Sequence, residues 1–186
     1  MEKEAIILIG APGSGKGTQG ELLEKRTGFV KYVMSSLIKS ELKKGKKSNK
    51  PWAQTYDVEN GVLLDDKDMF ELFRERFNSE NKIILDGMPR TLDQAYWLFG
   101  YLTQHKYKIK VLYIKVDEDK LIERILIRGK REGRKDDTAE IFEDRVKIFD
   151  RVKEVILEVY SKGIITINGD QEIKKVESEI KTKLGY

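Results

Sequence analysis

Short apolar runs alternate with longer amphipathic stretches along most of the chain. The apolar runs at residues 5–9, 82–85, 110–116 and 163–167 are typical of buried strands. The longer stretches predict helices at residues 16–26, 35–44, 51–60, 65–77, 91–103, 117–128 and 138–160 and in the tail from residue 170. Alternating strands and helices predict an α/β fold, a parallel sheet covered by helices. Ligands of such sheets bind at the carboxyl ends of the strands.

A glycine-rich loop follows the first predicted strand and opens the first predicted helix. It reads GAPGSGKGT over residues 10–18, and Gly10, Gly15 and Lys16 meet the spacing G-x-x-x-x-G-K. Glycines let backbone N–H groups surround a phosphate, and Lys16 supplies a positive charge for the β- and γ-phosphates. Gly17 occupies the usual Ser/Thr position, and Thr18 follows it. The alternative is a merely glycine-rich turn, which the placement of the lysine disfavours.

A carboxylate, Asp86, ends the second predicted strand, at the same edge of the sheet as the glycine loop. A carboxylate in this place suits Mg²⁺, directly or through water. Taken alone, an aspartate there is as well explained by a turn or a helix cap. The sequence that follows it, GMPRT over residues 87–91, adds an arginine, Arg90, beside this carboxylate.

Arginine is scarce, with ten residues against 26 lysines, yet half of the arginines fall in one stretch. They are Arg124, Arg128, Arg131, Arg134 and Arg145. Arginine is favoured where a phosphate is bound through two parallel hydrogen bonds. On composition alone, a solvated basic face or a nucleic-acid patch explains the cluster equally well.

Composition narrows the classes of protein that the chain can represent. Its 186 residues are enough for one domain with a sizeable core. The net charge of +4 is too balanced to indicate a nucleic-acid-binding protein. The absence of cysteine excludes disulfides and a Cys-based zinc site. Residues 1–4 show no signal-peptide pattern and no apolar run approaches the roughly 20 residues of a membrane span, so a cytoplasmic location is expected.

Three motifs in order resemble the adenylate kinase family. GAPGSGKGTQ resembles its phosphate-binding loop, DGMPR resembles its D-G-[FY]-P-R motif, and RILIRGKREGRKDD resembles its short lid, R-x-x-x-R-G-x-x-x-G-R-x-D-D. The resemblance extends from Ile6 to about Gly169. It implies a doubly wound P-loop nucleoside monophosphate kinase fold in a single domain over residues 1–186. Within it, an acceptor-binding helical subdomain is expected at residues 31–60 and a short lid at residues 129–137.

The resemblance also implies roles for individual residues. The residues implied for ATP are Gly13, Ser14, Gly15, Lys16, Gly17, Thr18, Arg124 and Arg128. Those implied for AMP are Met34, Lys39, Leu64, Gly87, Arg90 and Gln94, of which Gln94 reads the adenine. The implied catalytic residues are Lys16, Arg90, Arg134 and Arg145, while Thr18 and Asp86 serve Mg²⁺. Asp136 and Asp137 would help to close the lid, and Gly61 precedes the adenine-binding strip 62–64.

The chain departs from the family pattern S-T-G-D-L-L-R at residues 33–39. Met34 replaces a threonine near the acceptor base, Ser36 replaces an aspartate near the metal, and Lys39 replaces an arginine on the acceptor phosphate. Met34 is equally well explained as a core methionine. The donor side keeps the family residues.

The expected activity is transfer of a phosphoryl group from Mg·ATP to a nucleoside monophosphate, with AMP as the leading acceptor. One alternative is a kinase of the same fold for UMP, CMP or another small acceptor. An alternative of another class is a nucleotide-binding regulator with weakened catalysis. ATP and AMP are the expected partners of a monomer that binds neither nucleic acid nor membrane.

Overall fold

A computed structural model describes residues 2–56, 62–133 and 137–186, without the side chain of Glu132. Five strands form one parallel sheet: β1 (Lys3–Ile9), β2 (Val30–Val33), β3 (Lys82–Asp86), β4 (Tyr107–Lys115) and β5 (Ile164–Asn168). Their order across the sheet is β2-β3-β1-β4-β5, and every neighbouring pair is parallel. The predicted α/β class and the doubly wound parallel sheet are confirmed.

Alternate side chains of the central strands build two separate cores. Ala5, Ile7 and Ile9 of β1 belong to the core beneath α3, α4 and α6. Ile6 and Leu8 face the opposite core, which is shared with α1 and α7. Because both faces are covered, β1 is apolar at every position from Ala5 to Ile9 and shows no polar alternation there. This explains why an uninterrupted apolar run marks β1 in the sequence.

Seven α-helices cover the sheet within the described residues. They are α1 (Lys16–Thr27), α2 (Met34–Leu42), α3 (Asp66–Arg76), α4 (Leu92–Gln104), α5 (Glu118–Glu132), α6 (Ala139–Val159) and α7 (Ile173–Leu184). None of the described helices is long and apolar enough to span a membrane. The sequence predicted each of these helices to within a few residues.

The structure differs from the predicted elements in three places. Strand β2 was not predicted, since VKYV is short and half polar; its pairing with β3 defines it, and the expected subdomain 31–60 therefore begins inside the sheet. In the segment predicted helical at 51–60, the described part forms only a 3-10 helix, Pro51–Gln54. The expected lid loop 129–137 begins as the last turn of α5, which Gly133 ends in a left-handed conformation.

A buried ionic network joins α2 and its following loop to α3. Glu41 of α2 accepts hydrogen bonds from Lys44, Ser48 and Arg76 at 2.6–2.7 Å. Lys50, only 2% exposed, pairs with Glu71 at 2.8 Å and Glu75 at 2.6 Å. Burial would lower the pKa of Lys50, yet its bonds to the two glutamates raise it. Both buried charges are paired, as their desolvation requires.

Candidate active site

The strand order of the sheet has its switch point between β1 and β3, and a crevice forms there. Helix α1 carries the chain from β1 past β3 to β2, whereas α4 carries it from β3 past β1 to β4. Because the two connections leave in opposite directions, a crevice opens between the carboxyl ends of β1 and β3. The glycine loop and Asp86 lie at these two ends.

Lys16, the first residue of α1, folds its side chain back over the loop. Its Nζ donates to the carbonyl oxygen of Gly10 at 2.6 Å, to that of Ala11 at 2.9 Å and to Oγ of Ser14 at 3.3 Å. The ammonium is thereby held at the mouth of the loop by neutral acceptors. No carboxylate among the described residues forms a salt bridge with it.

Gly13 allows the loop to approach helix α5 closely. Its φ is +84°, and an added Cβ would lie 2.7 Å from the carbonyl oxygen of Leu121. A side chain at this position would collide with backbone and strain a left-handed conformation. The contact brings α5 against the loop, two turns before Arg128.

Three cations lie close enough at the crevice to influence one another. Burial lowers the pKa of Lys16 to about 8; Asp86 opposes that shift, and the nearby Arg90 and Arg128 add to it. The lysine, the arginine after β3 and the arginine of α5 are therefore within electrostatic reach of one another. Such a cluster repels itself unless an anion is bound, so the arrangement suits a polyphosphate.

Asp86 faces the first turn of α1. It is 9% exposed at the end of β3, and an added Cβ at Gly17 would lie 3.8 Å from its Oδ2. The part of the chain that is described has no group of three or more histidines or carboxylates that could hold a metal unaided. Mg²⁺ commonly uses one or two carboxylates and takes its other ligands from water and substrate phosphates, so Asp86 and the exposed Thr18 fit this ion.

The DGMPR segment turns sharply after β3. Gly87 has a φ of +90°, and an added Cβ would lie 3.3 Å from Nη2 of Arg90 and 3.6 Å from Cβ of Met34. The guanidinium of Arg90 therefore folds back over the glycine. Met34, 1% exposed, lies against the same glycine and belongs to the larger core.

A carboxylate links α5 to α6 beside the crevice. Asp137, 6% exposed, accepts two hydrogen bonds from Arg128, from Nε at 2.6 Å and from Nη2 at 2.7 Å. Nη1 of Arg145 lies 3.8 Å from Oδ1 of the same carboxylate. Packing of Leu121, Ile125, Phe142 and Val146 joins the two helices. The buried aspartate thus holds two of the predicted phosphate-binding arginines near each other.

Some predicted residues lie apart from this cluster. Nη2 of Arg124 donates to the carbonyl oxygen of Gly169 after β5, at 2.9 Å. Lys39 is exposed on α2, and Leu64 is buried just before α3. Arg134, Asp136 and Gly61 lie outside the described residues. The roles expected for these residues remain predictions.

Gln94 lies in the first turn of α4, and both ends of its amide are hydrogen-bonded. The residue is 1% exposed; its Oε1 accepts from the backbone N–H of Arg90 at 2.8 Å, and its Nε2 donates to Oδ1 of Asp66 at 2.7 Å. Sequence reasoning missed Asp66, since an aspartate in the first turn of a helix is ordinarily a helix-dipole residue. Only the packing of α3 against α4 places it next to Gln94.

A doubly wound parallel sheet with a phosphate-binding loop and converging arginines at its switch point defines a P-loop phosphotransferase of the nucleoside monophosphate kinase class. The family model described as adenylate kinase matches residues 8–165. The chain belongs to the adenylate kinase family, and the predicted family and activity are confirmed. The alternatives of a UMP/CMP kinase and a nucleotide-binding regulator are not favoured.

Curated relatives extend over nearly the whole chain. An adenylate kinase of Prochlorococcus marinus strain AS9601 is 34% identical over 187 residues, covering 98% of this chain and 99% of its own length. An adenylate kinase of Encephalitozoon cuniculi is 32% identical over 186 residues and covers 99% of both chains. An adenylate kinase of Porphyromonas gingivalis is 37% identical over 148 residues, which is 77% of this chain and 75% of its own.

Proposed function

We propose that the protein transfers the γ-phosphoryl group of Mg·ATP to AMP and so forms two molecules of ADP. The observation that carries this proposal is that loop carbonyls hold Lys16 beside the carboxyl ends of β1 and β3, while Arg90, folded over Gly87, and Arg128 lie within its electrostatic reach. In phosphoryl transfer, positioning and charge stabilisation supply most of the catalysis, and no side-chain nucleophile is required.

ATP occupies the loop side of the crevice in this proposal. Backbone N–H groups of residues 13–18 surround its phosphates, and Lys16 exchanges its loop carbonyls for the β- and γ-oxygens. Arg128 and Arg124 of α5 complete the donor side. Arg145, with Arg134, stabilises the phosphoryl group in transit.

AMP occupies the side formed by the segment after β3. Arg90 binds its phosphate, assisted by Lys39, and the amide of Gln94 reads the adenine. Met34, Leu64 and Gly87 pack around the base and ribose. The helical segment that follows β2 acts as the acceptor-binding subdomain, and residues 129–137 act as a short lid.

Asp86 and Thr18 would hold Mg²⁺, the carboxylate directly or through water. When bound, the ion neutralises charge on the β- and γ-phosphate oxygens of ATP. A monomer is part of the same proposal. The balanced composition without cysteine supports a cytoplasmic location.

A coupled assay with ATP and a panel of AMP, UMP, CMP and GMP tests the proposal. AMP should give the highest kcat/KM, EDTA should stop turnover, and excess Mg²⁺ should restore it. A higher kcat/KM with UMP or CMP would replace the acceptor assignment. Nucleotide binding without turnover of any acceptor would contradict the assignment as an enzyme.

A further inference from the structure

Asp66, in the first turn of α3, lies outside the residues predicted from the sequence and contacts the amide of Gln94. We infer that Asp66 is a positioning residue that locks this amide in one orientation and thereby makes the protein prefer 6-amino over 6-oxo purine acceptors. The inference rests on the proposed role of Gln94 in reading the acceptor base and adds the residue that decides which base it reads.

A carboxamide can turn over and exchange its donor end for its acceptor end. Here both ends have partners that forbid the exchange. An ionised carboxylate only accepts, so the Asp66 oxygen, 2.7 Å away, requires the NH₂ end of Gln94. A backbone N–H only donates, so the Arg90 nitrogen, 2.8 Å away, requires the oxygen end. Because Gln94 is 1% exposed, water does not replace a lost partner in the reversed orientation.

The locked amide has one N–H and one oxygen lone pair left after these two bonds are counted. An adjacent donor and acceptor match adenine, which offers its N6 amino group and a neighbouring ring nitrogen as acceptor. A 6-oxo purine presents an oxygen at position 6 and a protonated N1, so its donor and acceptor are exchanged. An amide free to turn over could pair with either base, whereas the locked amide pairs with adenine.

The carboxylate of Asp66 is itself held in place by neighbouring contacts. Oγ1 of Thr91 donates to Oδ2 of Asp66 at 2.7 Å and accepts from the backbone N–H of Gln94 at 3.1 Å. One turn further along both helices, Phe70 stacks on Trp97 with ring centroids 4.4 Å apart, and Phe73 and Phe77 pack on Tyr101 beyond it. This aromatic contact sets the register of α3 against α4 and keeps the carboxylate opposite the amide.

The test compares kcat/KM for AMP with kcat/KM for inosine monophosphate, a 6-oxo purine acceptor. In Asp66→Asn the new side chain can either accept or donate, so one of the two constraints on Gln94 disappears. The preference for AMP over inosine monophosphate should fall by about tenfold, as loss of one buried hydrogen-bond match predicts. The matched control is Asp68→Asn, which removes the same charge from the same helix and should leave the preference unchanged.

The ratio of kcat/KM for two acceptors is insensitive to the fraction of folded enzyme, so loss of folded protein cannot produce this result. Asp66→Glu, which still only accepts, should retain more of the preference than Asp66→Asn. An unchanged ratio in Asp66→Asn, or an equal fall in Asp68→Asn, would overturn the inference. Gln94→Ala separates the role of Gln94 from the role of Asp66. If Gln94→Ala leaves KM for AMP unchanged, the proposed role of Gln94 in reading the base is wrong. If Gln94→Ala raises KM for AMP but Asp66→Asn leaves the ratio unchanged, only the positioning role of Asp66 is refuted.

Discussion

Lys16 is a partly buried cation bonded to neutral oxygens, with two other cations nearby, and this explains its lowered pKa. The carbonyl oxygens of its own loop solvate it only partly, and Arg90 and Arg128 repel it. Polyphosphate binding would reverse both effects. The side chain is therefore arranged for a ligand more than for the stability of the free protein.

The lowered pKa of Lys16 predicts a pH dependence of ATP binding. Below pH 8, the lysine is already charged in the free protein, and its pKa of about 8 has little effect on affinity. Above pH 8, binding must first take up a proton, so the Kd for ATP should rise by about tenfold per pH unit until the pKa of the bound lysine is reached. Titration calorimetry between pH 7 and 9.5, in two buffers of different ionisation enthalpy, measures both the Kd and the proton uptake.

Lys16→Arg is the control for this prediction, because an arginine stays charged throughout the range. The Kd of this variant for ATP should show no rise above pH 8 from this position, whatever its value at pH 7. The pKa of Lys16 also affects the stability of the free protein. Because the pKa in the folded state, about 8, lies below the ordinary 10.5, the charged ammonium lowers the free energy of unfolding below pH 8. That cost should disappear between pH 8 and about 10.5. A wild-type Kd that is equal at pH 7 and pH 9 would contradict the assignment.

Arg145 is predicted to act mainly in the transition state. Its guanidinium lies 3.8 Å from the buried carboxylate of Asp137, which also binds Arg128. Arg145→Ala should lower kcat by roughly 10³-fold while changing KM for ATP much less, as for other arginines that bind a transferring phosphoryl group. Arg151→Ala, an exposed position on the same helix, is the control. Steady-state kinetics giving near-wild-type kcat for Arg145→Ala would refute the role.

Helices α2 and α3 are joined by charge as well as by apolar packing. Hydrogen bonds from Lys44, Ser48 and Arg76 hold the pKa of Glu41 at about 2 against the effect of its burial. The segment between these helices contains little regular structure among its described residues, a 3-10 helix at Gly45–Lys47 and another at Pro51–Gln54. The ionic network therefore determines how this segment is attached to α3.

Glu41→Gln should lower the free energy of unfolding at pH 7 by about 1–3 kcal/mol, because the charged hydrogen bonds are lost in a buried place. A folded pKa depressed from 4.5 to about 2 means that the carboxylate stabilises the protein above pH 4.5 and ceases to do so as pH falls to 2. Urea unfolding should therefore show a smaller difference from wild type at pH 3 than at pH 7. Glu143→Gln, an exposed position on α6, should have little effect at either pH. An equal difference at both pH values would show that the charge of Glu41 does not act in this way.

The proposed function places the donor and acceptor sites on two sides of one crevice. In that proposal, the loop after strand β1 binds the donor, and the segment after strand β3 binds the acceptor. Helix α5 contributes Arg128 and helix α6 contributes Arg145, and both arginines lie at the carboxylate of Asp137. Two substrates can then meet in line over a shared set of cations.

A bisubstrate mimic with two adenosines joined by five phosphates should bind at least about 100-fold more tightly than ATP, because one association event fills both sites. It should raise Tm more than ATP at equal concentration and protect residues 129–137 from proteolysis. Calorimetry, thermal unfolding and limited proteolysis measure these effects. ATP and AMP added together provide the unlinked control. If the mimic binds no better than ATP, the second site is not built for AMP.

The elements whose signal is local were recognisable in the sequence. Residues 5–9 of strand β1 form an uninterrupted apolar run because both faces of the strand are buried there. The glycine loop is recognisable because its whole motif lies within nine residues. Asp86 is the last residue of β3 and Arg90 follows it closely, so the edge of the sheet on which they lie was predictable from chain order. Strand β2 was missed because VKYV carries no such pattern and depends on its pairing with β3.

Contacts between distant segments were decided only by the tertiary structure. The sequence does not indicate that Asp137 binds Arg128 and lies beside Arg145, or that Asp66 accepts a hydrogen bond from Gln94. Nor does it indicate that Lys16 lies within electrostatic reach of two arginines. Spacing and periodicity report backbone conformation and burial within one element. Which side chains meet across elements depends on the register and packing of helices on the sheet, and these arise only when all the elements assemble around the two cores.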